Sequence, residues 1–220
     1  MADTPKILAE LPGVIPVLPL AGTILLPGSN LPLNIFEPRY LQLVKDARAG
    51  HGLVGMVQPQ DPSNQSKSPE LYGTGSVGQI THFVETEDGR NLIRLTGLCR
   101  FALAAELPVT TPYRQIQANW EAFEADLVPP IAARELERGP LMAELRVYLE
   151  KKGLDADYDG INTAPDDVLI NTLSMIMPFG AAEKQALLEA HTLMDRANTL
   201  ESLLAMAASA TLPPQETKPS

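Results

Sequence analysis

Apolar residues in the first third of the chain come in short runs of β-prone side chains, at residues 14–18, 23–26 and 31–36. Pro19, Gly22, Pro27-Gly28 and Pro32 cut these runs apart. Proline removes a backbone donor and glycine opens turn conformations, so the spacing predicts clipped strands joined by tight corners. The pattern changes at Glu37-Pro38. Proline is compatible with a helix's first turn, and Glu37 carries the charge that a helix's positive end favours, so a helix is predicted over residues 38–49. Tyr40, Leu41, Leu43, Val44 and Ala47 form its apolar stripe, Lys45, Asp46 and Arg48 its polar side, and Gly50 its stop.

Residues 53–58 read as a buried strand, and the Pro-, Ser- and Gln-rich stretch after it as an exposed loop. Two further apolar runs, 79–86 and 91–100, flank the turn Glu87-Asp88-Gly89-Arg90 and predict a hairpin. Residues 113–123 alternate, with Ile116, Ala118, Trp120 and Ala122 on one side and Gln115, Gln117, Asn119 and Glu121 on the other.

Near residues 126–130 strand periodicity gives way to helical periodicity. We therefore expect a β-rich domain over residues 10–127, a helical domain over 128–210 and a flexible tail over 211–220. Helices are predicted at 131–152, bent or restarted at Gly139-Pro140, then at 165–177 and 181–208. Expected inward positions are Leu141, Leu145, Tyr148 and Leu149 in the first, and Val168, Leu169, Leu173 and Ile176 in the second. In the third they are Leu187, Leu188, His191, Met194, Leu200, Leu203 and Leu204.

The 220 residues are 45% hydrophobic but only 5% aromatic, so the core must be mostly aliphatic. The formal charge of -10 disfavours nucleic acid, whose affinity for proteins comes largely from Lys and Arg on phosphates. No apolar run reaches the length of a membrane span, and residues 1–13 lack the pattern of a signal peptide. A cytoplasmic location is expected, and the single Cys99 fits a reducing compartment. Cys99 reads as a small buried hydrophobe, with nothing nearby in sequence to activate its thiol.

Gly73-Thr74-Gly75-Ser76-Val77-Gly78 matches a G-x-G-x-x-G pattern. A dinucleotide site needs a helix to open at its last glycines, whereas a β-branched run follows here, so no cofactor is expected. Residues 155–160, Asp-Ala-Asp-Tyr-Asp-Gly, match the first six positions of a calcium loop, but Asp166 stands where the bidentate Glu belongs. His51, His82 and His191 have no metal-ligand spacing. Arg100 could bind a carboxylate ligand, or pair with an internal acid or carbonyl and pin a corner.

Several phrases together carry a resemblance. They are Leu18-Pro19-Leu20, Leu26-Pro27-Gly28, the run from Leu31 to Phe36, and Glu37-Pro38-Arg39-Tyr40. Tyr72-Gly73-Thr74 with Val77 and Ile80, Gly97-Leu98-Cys99-Arg100-Phe101, and Glu183-Lys184-Gln185 ahead of Leu187-Leu188-Glu189 join them, as do Asp195-Arg196 and Leu200-Glu201 with Leu203-Leu204. Over residues 13–206 the chain resembles the N-terminal, substrate-binding domain of Lon protease. That resemblance implies an α+β fold, with a small antiparallel, barrel-like (PUA-like) domain followed by a helical bundle.

The chain has no G-x-x-x-x-G-K-[ST] phosphate loop and nothing matching a Ser-Lys protease module. The resemblance thus implies a non-catalytic module that binds unfolded or extended polypeptide. Leu33, Phe36, Arg39 and Tyr40 are the candidate contact residues, unless they belong to the core. The alternative is an adaptor that docks a partner protein through the helical half, around residues 175–179.

Overall fold

The computed structural model describes residues 7–64, 66, 68–128 and 136–209. Its strands are β1 (Val14–Pro19), β2 (Asn30–Ile35), β3 (Leu53–Val57), β4 (Thr74–Glu85), β5 (Asn91–Glu106) and β6 (Arg114–Asn119). They form one sheet in the order β2-β5-β4-β3-β1-β6, and β6 returns to pair with the far half of β5. Five strands therefore close into a ring, while β2 lies outside it on the near half of β5. The expected all-antiparallel arrangement needs one correction, because β1 and β3 run parallel, with Val17 opposite Gly55. Parallel neighbours need a long crossover, and β2 with helix α1 (Pro38–Ala49) provides it.

The ring encloses one apolar cluster, which includes Ile15, Val17, Val77, Phe101, Ile116 and Trp120. A second lies beneath α1, where Tyr40, Leu43, Val44 and Ala47 meet Ile35, Ile80, Ile93 and Leu95. Every residue of β3 is buried because it faces both clusters: Leu53 and Val57 point into the ring, Val54 and Met56 toward α1. Two glycines of the G-x-G-x-x-G pattern have packing reasons. A Cβ on Gly75 would collide with the Phe101 ring, and one on Gly78 would lie 2.6 Å from Leu25 Cδ2.

The helical half comprises α2 (Arg138–Lys152), α3 (Tyr158–Thr163), α4 (Asp166–Ile176), α5 (Ala181–Glu189) and α6 (Leu193–Ser209). Residues 131–135 and 211–220, which carried helix and tail expectations, lie outside the described residues. Residues 155–160 depart from the calcium-loop pattern. Asp157 accepts a hydrogen bond from the Gly160 N–H (3.0 Å) and starts α3.

Three expectations are corrected here. Residues 23–26 form no strand; Ile24 and Leu26 instead enter the helical cluster while Leu25 enters the cluster under α1, so the segment is a strut between the halves. The strand at 113–123 ends at Asn119, and a 3-10 helix (Glu121–Leu127) follows it that buries Phe123 rather than Ala122. The helix at 181–208 breaks at residues 190–192, leaving His191 and Met194 outside the core. That break frees carbonyls for other donors. The Arg100 guanidinium donates to the oxygens of Leu188 (3.1 Å), Ala190 (2.5 Å) and His191 (3.3 Å), and Arg196 Nε donates to that of Leu187 (3.0 Å). Thr192 and Asp195 then restart the helix by capping each other's backbone N–H at 3.1 Å.

Polar side chains complete the junction between the halves. Arg100 holds Asp126 through two 2.8 Å contacts. Gln58 accepts from the Gly22 N–H and donates to Ala181 O and Gln185 Oε1, while Gln185 donates to Thr74 O. Lys184, also buried, donates to Ser174 O (2.8 Å) and Met175 O (2.7 Å) at the end of α4.

Burial pushes the Lys184 ammonium down to about 8 from an ordinary 10.5. Below pH 8 both folded and unfolded states are charged, and the cost of burying the ammonium stands in full. Between pH 8 and 10.5 the unfolded chain keeps a proton that the folded one has released, so stability rises with pH. Urea unfolding should show the wild type gaining about 2–3 kcal/mol relative to Lys184→Met between about pH 7.5 and pH 10. An unchanged difference would mean that the ammonium carries no burial cost.

Candidate functional site

The near half of β5 pairs with β2 on one side and with the outer half of β4 on the other, so these three strands extend beyond the ring. Their registers align the side chains in rows. On the inner face Leu33, Ile93 and Phe83 stand side by side toward α1. On the outer face Pro32, Arg94 and His82 form one row, and Asn34, Leu92 and Val84 the next. Asn30, Thr96 and Thr81 begin this face as a polar ladder, with Thr96 Oγ1 donating to Asn30 Oδ1 (2.8 Å) and lying 3.0 Å from Thr81 Oγ1. Leu92 and Val84 are each 42% exposed.

Phe36 follows β2 at the corner into α1 and is 64% exposed. Pro38 forces this corner, because the residue ahead of a proline avoids helical backbone and Glu37 takes an extended one (φ -70°, ψ 132°). Arg39, half-buried, pairs with Glu37 (Nε to Oε2, 2.9 Å), and its guanidinium lies 4.4 Å from the Tyr40 ring centre. Tyr40 itself is only 8% exposed and packs in the cluster under α1, where burial raises its phenol above the ordinary range. Of the four candidates, then, Phe36 and Arg39 reach the surface, Leu33 is half-buried on the inner face, and Tyr40 is core. Leu92, Val84, His82 and Arg94 are not among the contact residues expected from the sequence, although the alternation Leu92, Arg94, Thr96 against Ile93, Leu95 signals the outward direction of the β5 pair.

A cleft of about 290 Å³ adjoins this face between the corner at residues 27–30 and α4. Asn30 lines it together with Val168, Asn171 and Ile176, and Asn171 Nδ2 donates to Pro27 O (3.3 Å) across its floor. Val168 and Ile176 were expected inward, but α4 packs through Leu169, Ile170 and Leu173 and turns Ile176 67% outward. In the proposed adaptor segment 175–179, Met177 and Phe179 are buried, so Ile176 is its most exposed apolar side chain.

Cys99 lies inside the ring with its thiol donating to Arg100 O (3.0 Å) and Phe123 O (3.3 Å). Burial, reinforced by the Asp126 carboxylate, pushes the thiol up to about 12. The Arg100 guanidinium is occupied by Asp126 and the backbone carbonyls, as an internal pin would be. Among the described residues no group of three or more His, Cys, Asp or Glu side chains is placed to hold a metal ion, and no helix is long and apolar enough to cross a membrane.

The family model described as the ATP-dependent protease La (LON) substrate-binding domain matches residues 14–206. A Lon protease from Parabacteroides distasonis is 31% identical over 196 residues, covering 86% of this chain and 23% of the relative. One from Flavobacterium johnsoniae is 28% identical over 206 residues, covering 88% and 24%. The chain thus spans less than a quarter of the length of these curated relatives. Two solved structures share the fold. A Lon N-terminal domain protein from Xanthomonas campestris aligns with a TM-score of 0.58 at 24% identity, over 87% of this chain and 97% of that one. The N-terminal domain of the Mycobacterium avium complex Lon protease aligns at 0.60 and 16% identity, over 90% and 100%.

A thiol this buried should react with a disulfide reagent at pH 8 about a thousandfold more slowly in the native protein than in urea. Equal rates would place Cys99 at the surface.

Proposed function

The chain belongs to the LON substrate-binding domain family, as the match over residues 14–206 shows, and from that premise we propose that it is a non-catalytic recognition module for unfolded or extended polypeptide. The contact surface in this reading is the outer face of the β2-β5-β4 extension together with Phe36. The exposure of Phe36 at the end of a rigid sheet carries the proposal, because a large ring left in water beside Leu92 and Val84 supplies apolar area for a partner. Arg39, His82 and Arg94 lie around that area in a chain whose net charge is -10, so they offer local donors to a polypeptide's carbonyls and carboxylates.

The family matches concern the substrate-binding domain alone. Without a phosphate loop in the sequence, ATP-driven unfolding has no site in this chain, and Cys99 is too buried to serve as a nucleophile. Recognition here is therefore reversible contact. Such surfaces bind weakly and broadly, since a few exposed apolar anchors carry most of the affinity and impose little sequence preference.

A second reading, an adaptor that docks a folded partner, draws on Ile176 and Val168 beside the cleft. The two readings place the decisive side chains at opposite ends of β2, Phe36 just after Ile35 and the cleft beside Asn30. Fluorescence anisotropy with labelled, reduced and carboxymethylated α-lactalbumin as the unfolded probe separates them. Phe36→Asp should weaken binding about tenfold with an unchanged melting temperature. Ile176→Asp should leave it within about twofold. The reverse result would favour the adaptor, and no saturable binding by the wild type would refute the recognition reading.

A further inference from the structure

Among the described residues the outer half of β4 is paired on one side only, and what stands along its open side suits one kind of occupant. β3 accompanies β4 as far as Leu53 opposite Gln79, and Gly52 O still accepts from the Ile80 N–H (2.8 Å). There β3 stops. Gly52 takes a left-handed backbone (φ +74°), its N–H closes onto Ala47 O (2.8 Å), and the chain before it belongs to the end of α1. Residues 81–85 continue beyond this point with β5 as their sole partner among the described strands.

The Thr86 N–H is donated to Arg90 O, and Thr86 O accepts from Gly89 N. Backbone groups alternate direction along a strand, so Val84 and His82 face β5 as Thr86 does, while the N–H and C=O groups of Phe83 and Glu85 face outward. Beside them runs a groove of about 390 Å³, within the size range of ligand sites. Gly50 and Gly52 form its far wall and present no side chains. Ile80 and Phe83 give it an apolar side, and the Arg48 guanidinium lies over the Phe83 ring at 3.6 Å.

We propose that this groove takes one extended segment of another polypeptide, which adds to β4 as a strand in line with β3. The proposal rests on the recognition reading and says how the contact is made. Backbone hydrogen bonds to Phe83 and Glu85 supply affinity independent of sequence, as substrate tolerance requires. Side chains alternate along the incoming strand, so one set faces Phe83, Ile80 and Arg48 in the groove while the other joins the exposed row of Leu92 and Val84. Apolar residues at alternate positions fit both sets. A second copy of this chain fits poorly, because pairing β4 with its own copy about Phe83 would bring a second α1 end and a second Arg48 cation into the same trough. β2 offers a weaker edge, since Pro32 removes a donor from its middle.

Two measurements on the full chain test this. Amide exchange followed by NMR should show the Phe83 and Glu85 N–H groups slowing at least about tenfold when the protein is saturated with carboxymethylated α-lactalbumin. Glu85→Pro, which removes an outward donor and spares the bonds to β5, should weaken binding about tenfold. If the probe binds, and Phe36→Asp weakens it, while both amides exchange unchanged, strand addition is wrong and the recognition reading survives. If the amides are protected without probe, increasingly so at higher protein concentration, the occupant is a second copy and the proposal fails. If the wild type binds no probe, both readings fall.

Discussion

Arg100 leaves β5 inside the junction of the two halves, where its guanidinium is divided between the Asp126 carboxylate and three backbone carbonyls around the end of α5. At 4% exposure such a cation has almost no water, so each donor must find an acceptor in the protein. Removing one partner of a buried pair of this kind typically costs about 3–5 kcal/mol, which is a large share of a domain's stability. The same demand determines the helical half's shape. The chain breaks at residues 190–192 because intact helix would use those carbonyls internally. Arg196 repeats the device next to it, with its guanidinium on Leu187 O and Asn171 Oδ1, and Asn171 in turn reaches Pro27. Ile24 and Leu26 fill the apolar space beside this network.

That junction makes the outer features of the molecule a platform rather than a set of loose loops. Phe36 sits between β2 and α1, Leu92 and Val84 are held in register by three strands, and the cleft at Asn30 is bounded by α4, which the network ties to the corner at residues 27–30. A rigid surface with exposed apolar groups and an unpaired backbone edge loses little entropy when an extended chain settles on it. In the proposed recognition the incoming chain would bear most of that loss, as weak, tolerant and reversible contact requires.

The sequence is most legible where one local rule decides the outcome. Helix α1 has its predicted bounds because proline, an apolar stripe and Gly50 agree, and the hairpin around Gly89 follows from its turn residues. The G-x-G-x-x-G pattern is disarmed by the β-branched run behind it. Less legible is anything decided across the junction. Residues 23–26 carry a strand's composition but serve as a strut because the helical cluster takes up Ile24 and Leu26, and the break at residues 190–192 answers to an arginine some ninety positions earlier. Of the site, Phe36 was legible as an aromatic at a corner. Tyr40 was ambiguous because a helix stripe does not say which of its residues the sheet covers, and the outward row at Leu92 was overshadowed by the strand's general apolarity.

Through the buried polar contacts and the strut at Ile24 and Leu26, the two halves should unfold as one cooperative body. Urea unfolding followed simultaneously by the fluorescence of Trp120, the single tryptophan and a member of the cluster inside the ring, and by helical circular dichroism tests this directly. Superimposable transitions with one midpoint are expected. Helical signal lost in a separate step from tryptophan fluorescence would contradict it.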